Sequence, residues 1–233
     1  MDLVTLNRVH FRYNKKTEVL NDLDLNLRKG SCHGFLGHNG AGKTTTLRII
    51  MGLLKPENGT VSYCDGFNKR NNVISYMPEY GGIYERLSVG QNIVFRGEIQ
   101  GLTRYTIDNN MEDMLSILGL QERLNEKAGY LSQGLKRRLS LACAMISNPE
   151  LLILDEPTNG IDPVSLKVIT DTLRNINSNG TTILISSHNL HFISQICGEI
   201  SIIQNGKRIY NSTNIDAASI ENLYIEKTNE SER

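Results

Sequence analysis

The chain has 233 residues, about 39% of them hydrophobic, and its 25 Lys and Arg balance 25 Asp and Glu: it is long enough for one large domain with a sizeable core, and it lacks the overall basic character that would hold nucleic acid or an anionic membrane surface. Cys32, Cys64, Cys143 and Cys197 show neither a Cys-x-x-Cys pair nor metal-ligand spacing, so small buried hydrophobes are expected and a disulfide framework is not. No window approaches the roughly 20 apolar residues of a membrane span, and Met1 to Val9 alternates polar and apolar residues instead of offering a basic stretch followed by an apolar run; a soluble chain is expected, any membrane role being supplied by a partner.

Val4-Thr5-Leu6-Asn7, and Leu23, Leu25 and Leu27 alternating with Asp24, Asn26 and Arg28, read as half-buried strands of an N-terminal antiparallel sheet. Short continuous apolar runs follow at Gly34 to Leu36, Val73 to Tyr76, Leu151 to Leu154 and Thr182 to Ile185, the pattern of strands covered on both faces in a parallel sheet. Helices are expected between them: Leu47, Ile50, Met51 and Leu54 keep one helical face, as do Leu135, Leu139 and Ile146. From Ser88 to Tyr130 strand signals vanish. Ser88 with Gln91 makes a capping box, and Ile107, Met111, Met114, Leu115 and Leu118 form a stripe ending at Gly119, so an inserted helical lobe is expected. Residues 211–233 are polar and acidic, with Ile220, Leu223, Tyr224 and Ile225 as the packing face of a short docked helix.

Gly37-His38-Asn39-Gly40-Ala41-Gly42-Lys43-Thr44 fits G-x-x-x-x-G-K-[ST] between an apolar strand and a helix, the setting in which that motif cradles nucleotide phosphates. Glycines let the backbone turn its N–H groups inward and the helix N-terminus adds partial positive charge. Lys43 reaches the β- and γ-phosphates, Thr44 ligands Mg²⁺, and Thr45 completes the segment. The strand Leu151 to Leu154 delivers Asp155 and Glu156 at its C-terminal end: Mg²⁺ compensates the buried Asp155, and Glu156 polarises the water that attacks the γ-phosphate. The runs before Glu79 and His188 end in the same polar way. Because open α/β sheets bind ligands beyond the carboxyl ends of their strands, all four strand ends are expected to face one nucleotide, with His188 at the γ-phosphate.

Tyr130-Leu131-Ser132-Gln133-Gly134-Leu135, lying between that loop and Asp155, resembles the signature segment of ABC ATPases, usually Leu-Ser-Gly-Gly-Gln, with departures at Gln133 and Leu135. Ser132 and Gly134 keep a hydroxyl and a backbone N–H at a helix start, where the dipole favours phosphate. The resemblance extends over almost the whole chain. It implies that Tyr13 stacks on adenine, that Glu79 stands at the Q-loop position as a catalytic and Mg²⁺-contacting residue where glutamine is usual, that Thr158 to Asp162 form the D-loop, and that His188 is the switch histidine. It also implies two ATPase domains head to tail, each Ser132 acting on the partner's ATP, with a homodimer expected.

The fold class implied is α/β: a P-loop NTPase (RecA-like) core with a mostly parallel sheet, an N-terminal antiparallel β-subdomain and an inserted α-helical subdomain. Within one domain, 1–87 and 136–210 form the core, 88–135 the helical subdomain, and 211–233 the tail. Tyr-Met-Pro-Glu at 76–79, Glu156 to Pro163, Leu135 and the segment 219–225 resemble the exporter branch paired with separate ABC-2 type permeases, including bacitracin resistance and lantibiotic immunity systems. The implied protein binds ATP and Mg²⁺, sits on the cytoplasmic face of the membrane through its permease, and exports a peptide antibiotic or drug. Three other readings stay open: a soluble non-transport ABC ATPase, regulatory or associated with nucleic acid; a small-molecule kinase, which would leave Ser132 to Gly134 and His188 unexplained; and an ATP-responsive switch that hydrolyses poorly.

Overall fold

The structure is a computed structural model that describes residues 1–14, 17–67 and 74–213. Its elements in chain order are β1 (Asp2–Asn14), β2 (Thr17–Arg28), β3 (Cys32–Leu36), α1 (Lys43–Ile50), β4 (Asn58–Tyr63), β5 (Ile74–Met77), α2 (Val89–Ile99), α3 (Arg104–Leu118), α4 (Gln133–Met145), β6 (Leu151–Asp155), α5 (Pro163–Ser178), β7 (Thr182–Ser187), α6 (Leu190–Ile196), β8 (Glu199–Gln204) and β9 (Lys207–Ser212). The chain divides into two compact units, Met1–Asn71 with Thr182–Arg233, and Asn72–Thr181.

In the first unit β1 lies between β2 and β4 in a three-stranded antiparallel sheet. Leu23, Leu25 and Leu27 are fully buried while Asn26 and Arg28 face out, the alternation a one-sided sheet requires. β3 pairs in parallel with β7 on one side and β8 on the other, and β9 closes that group antiparallel to β8. Every residue of β3 and β7 is buried, as their unbroken apolar runs predict. Cys32 and Cys197 lie with sulfurs 3.4 Å apart, both buried free thiols. The apolar face read at Leu47, Ile50, Met51 and Leu54 is cut short. α1 ends at Ile50, where Gly52 N–H donates to the Ile49 carbonyl and Leu53 N–H to the Arg48 carbonyl, a Schellman closure that turns the chain before Met51 and Leu54 can extend the helix.

The hairpin β8–β9 escaped the sequence reading, and it moves the start of the tail. Residues 211 and 212 belong to β9, where polar side chains suit an edge strand held by its backbone ladder and where Asn211 accepts a hydrogen bond from the buried Ser201 hydroxyl at 3.0 Å. Its turn is Asn205-Gly206, both at positive φ (50 and 75), the two-residue geometry that twists with the strands. The tail helix expected at Ile220 to Ile225 lies outside the described residues, as does Val73.

In the second unit β5 and β6 run parallel with Met77 opposite Leu154. The capping box at Ser88 and Gln91 starts α2, and the stripe Ile107, Met114, Leu115 and Leu118 is buried along α3, which stops at Gly119. Asn92 staples the preceding loop to α2: its Oδ1 accepts from Tyr84 N–H at 2.6 Å and its Nδ2 donates to the Tyr84 carbonyl at 3.0 Å. α4 packs against α2 and α5.

Candidate functional site

β3 is buried to its end at Leu36, and the segment 37–45 then turns from strand into helix. Gly37, Ala41, Gly42, Lys43 and Thr45 are buried, Thr44 is half-buried, and His38, Asn39 and Gly40 are exposed. Gly42, with φ 108, is the N-cap of α1 and offers no side-chain cap, and the positive end of the helix dipole at this turn favours an anion. The Lys43 ammonium is drawn over the loop, donating to the Gly37 carbonyl at 2.6 Å and the His38 carbonyl at 3.3 Å. The loop is braced from behind by the β8–β9 turn: Gly206 N–H donates to the Ala41 carbonyl at 3.0 Å, and a side chain at Gly37 would strike the Ile203 carbonyl.

Leu36 pairs with Ser187, so Gly37 and His188 leave neighbouring strand ends, with the His188 side chain exposed. Ser187 Oγ accepts from Asn189 N–H at 2.9 Å and Asn189 caps α6 through Phe192 N–H at 3.0 Å, which shapes the chain around His188. Tyr13, just over half exposed at 55%, has its ring edge-on to Phe11 with centroids 5.0 Å apart. Its hydroxyl shares a 3.2 Å hydrogen bond with Thr45 Oγ1 and accepts from Arg48 at 3.4 Å, which anchors the ring beside the loop and occupies the Thr45 hydroxyl.

In the second unit the Met77–Leu154 register places Pro78-Glu79 and Asp155-Glu156 at adjacent strand ends. Asp155 and Glu156 are 2% and 3% exposed. The Tyr76 hydroxyl donates to Asp155 Oδ2 at 3.2 Å. Glu156 has φ 46, left-handed backbone that a non-glycine residue holds only when its surroundings impose it, a strain found most often at functional sites. Asn159 is one of those surroundings. Its N–H donates to the Glu156 carbonyl at 3.3 Å and its Nδ2 to Glu79 Oε1 at 3.1 Å, which joins the two acidic strand ends. Arg137, from α4, donates to the Pro78 carbonyl at 3.1 Å and the Glu156 carbonyl at 3.4 Å. Its burial pulls the guanidinium below its usual value, opposed by the nearby Glu79 foremost and by Tyr80, Asp155 and Glu156.

Ser132 is the N-cap of α4, its exposed hydroxyl accepting from Leu135 N–H at 3.3 Å. Gly134 is buried against the start of α5, where Asp162 Oδ1 caps the helix by accepting from Ser165 N–H at 2.9 Å and Arg138 donates to Ser165 Oγ at 3.0 Å. Ser165 N–H first, then the Ser165 hydroxyl, holds the Asp162 carboxyl below its usual range. On the opposite side Lys136 pairs with Glu85 at 2.6 Å.

Sequence reading gave no role to Arg137, Arg138 or the Gly206 brace, and named Tyr76 and Asn159 only as members of the segments 76–79 and 158–162, without their contacts to Asp155 and Glu79. The Asn205-Gly206 pair was a usable hairpin signal, while the others depend on contacts made far along the chain. Among the described residues no group of three or more His, Cys, Asp or Glu could hold a metal alone. Within the second unit Asp155 and Glu79 offer hard oxygen donors of the kind Mg²⁺ takes, and the nearly complete burial of Asp155 is an environment a divalent cation could compensate.

A family model for the ABC transporter matches residues 20–159. The chain is 34% identical over 212 residues to Nod factor export ATP-binding protein I of Cupriavidus pinatubonensis, covering 89% of this chain and 65% of that protein. It is 38% identical over 191 residues to the bacitracin transport ATP-binding protein BcrA of Bacillus licheniformis, covering 79% of this chain and 61% of that one. The chain thus spans about two thirds or less of the length of these relatives. Among solved structures, an ATP binding subunit of an ABC transporter superposes with a TM-score of 0.85 at 26% identity, over 97% of this chain and 99% of that one. With the family model taking in more than half of its residues, and with ATP-binding proteins aligned along most of its length, the chain belongs to the ABC transporter family of ATP-binding proteins.

Proposed function

We propose that the chain is the ATP-hydrolysing subunit of an exporter, paired with a second ATPase domain, in the simplest case another copy of itself, and driving a separate ABC-2 type permease from the cytoplasmic face of the membrane. The observation that carries the nucleotide half is the buried Lys43 ammonium held across a loop whose helix N-terminus has no side-chain cap. Phosphate oxygens would replace the Gly37 and His38 carbonyls as its partners, with the backbone of 37–44 cradling the rest. Tyr13, already anchored beside Thr45, offers its exposed ring to the adenine. Mg²⁺, held by Thr44, Asp155 and Glu79, would neutralise charge developing on the phosphate oxygens. Glu156 orients and deprotonates the attacking water, and His188 contacts the γ-phosphate. Ser132 and Gly134, at the start of α4, face the ATP of the second domain.

The export half rests on the relatives, whose names are those of Nod factor export and bacitracin transport proteins. A peptide antibiotic or drug is the cargo class in keeping with the second of them. Among the described residues no helix is long and apolar enough to cross a membrane, so passage of cargo is assigned to the permease. Two experiments test the reading. Titration with ATP should show saturable binding that Lys43→Ala abolishes, and affinity purification from membranes should recover a multi-spanning protein. Recovery of ribosomes or DNA with no membrane protein would instead favour a non-transport ABC ATPase.

A further inference from the structure

Lys136, Arg137 and Arg138 are consecutive on α4, and successive residues of a helix are turned about 100° apart, so the three point in different directions. Lys136 meets Glu85 at the surface and Arg138 meets Ser165. Arg137 alone is buried, at 5% exposure. Among the described residues it makes no direct ion pair. It donates two hydrogen bonds to main-chain carbonyls, those of Pro78 and Glu156, one residue before Glu79 and at Glu156 itself. Its Nε is buried and, among the described residues, has no hydrogen-bond partner. A buried cation that is incompletely satisfied costs stability, and an apolar side chain of similar size would avoid that cost. What the guanidinium supplies is a rigid planar fork able to hold two backbone segments at once.

We propose that Arg137 is a positioning residue: from the signature helix it clamps the backbones that carry Glu79 and Glu156, and so sets the geometry of the carboxylate that acts on the attacking water. The clamp supports the left-handed conformation of Glu156, whose carbonyl is also held by Asn159 N–H. It also makes the placement of both acids depend on α4, whose first residues engage the second domain in the proposed dimer. This inference rests on the ATPase reading above.

The test is steady-state ATPase kinetics of the full chain, wild type against Arg137→Gln and Arg137→Lys, with hydrogen exchange of the segments 78–82 and 156–160. The fork is lost in both variants and the charge is kept in one. Misplacing a reacting group by about 1 Å can cost roughly 100-fold, so kcat is expected to fall by that order in Arg137→Gln and by less in Arg137→Lys, with KM for ATP within about threefold of wild type. Amides 156–160 are expected to exchange faster in both variants. If Arg137→Gln does not fold, Arg137→Lys decides by the same criteria. Folded variants with unchanged kcat and exchange, or with kcat and KM moving together, overturn the role of Arg137. A wild-type chain that binds no ATP overturns the reading beneath it, which the same titration shows independently.

Discussion

Gly134 lies against Asp162 so closely that a methyl group on it would overlap both the Asp162 carboxylate and the Ser165 hydroxyl. The two residues hold the first turns of α4 and α5 together, with Arg138 fastened to Ser165 across the same contact.

Gly134→Ala is therefore expected to act by overpacking. Forcing a methyl into a filled contact costs about 1–3 kcal/mol, read as a lower denaturant midpoint at unchanged slope. Ser165→Ala, which removes a hydroxyl and fills nothing, should cost less. An unaltered midpoint in Gly134→Ala would show that α4 and α5 can part without loss.

Tyr13 has two separable features, an exposed ring and an anchored hydroxyl. Stacking of an aromatic ring on a base is worth about 1–3 kcal/mol, so Tyr13→Ala should weaken ATP binding about tenfold or more. Tyr13→Phe keeps the ring and loses the hydrogen bond to Thr45, and should bind ATP nearly as well as wild type. Equal losses in the two variants, measured by nucleotide titration, would place the effect in the hydroxyl and remove the stacking role.

Away from the nucleotide, Glu199 sits between the buried His33, at 3.5 Å, and Arg28, at 2.5 Å. The His33 ring against it foremost, with help from the Arg28 guanidinium, holds the Glu199 carboxyl below its ordinary 4.5. A carboxyl depressed in the folded state binds its proton more readily when unfolded. Its stabilisation is therefore present above about pH 4.5 and is lost as pH falls through the lower, folded value. Chemical denaturation across pH 3 to 6 should show that loss in wild type and a flatter profile in Glu199→Gln. Parallel profiles would mean that this carboxylate does not contribute.

The phosphate loop was legible in the sequence because its function constrains residue type at both ends: a strand run before Gly37, and Gly42-Lys43-Thr44 at a helix start. Asp155-Glu156 was legible for the same reason, as two acids closing an apolar strand. Arg137 was not, because three consecutive basic residues look like a solvated face until the tertiary packing shows which one points inward. β9 was hidden by its polar composition, which an edge strand tolerates, and the end of α1 by apolar residues that continue past the turn closing it. Such features are set by contacts between distant segments, and no local pattern encodes them.

Glu156, buried just past the end of β6 in a strained backbone conformation, is the group proposed to activate the water that cleaves ATP. Loss of a general base typically costs about 10²- to 10⁴-fold. Glu156→Gln should keep ATP affinity, lose turnover by that order, and accumulate as an ATP-bound dimer on size-exclusion chromatography with light scattering. A Glu156→Gln protein that hydrolyses ATP at the wild-type rate would contradict the account.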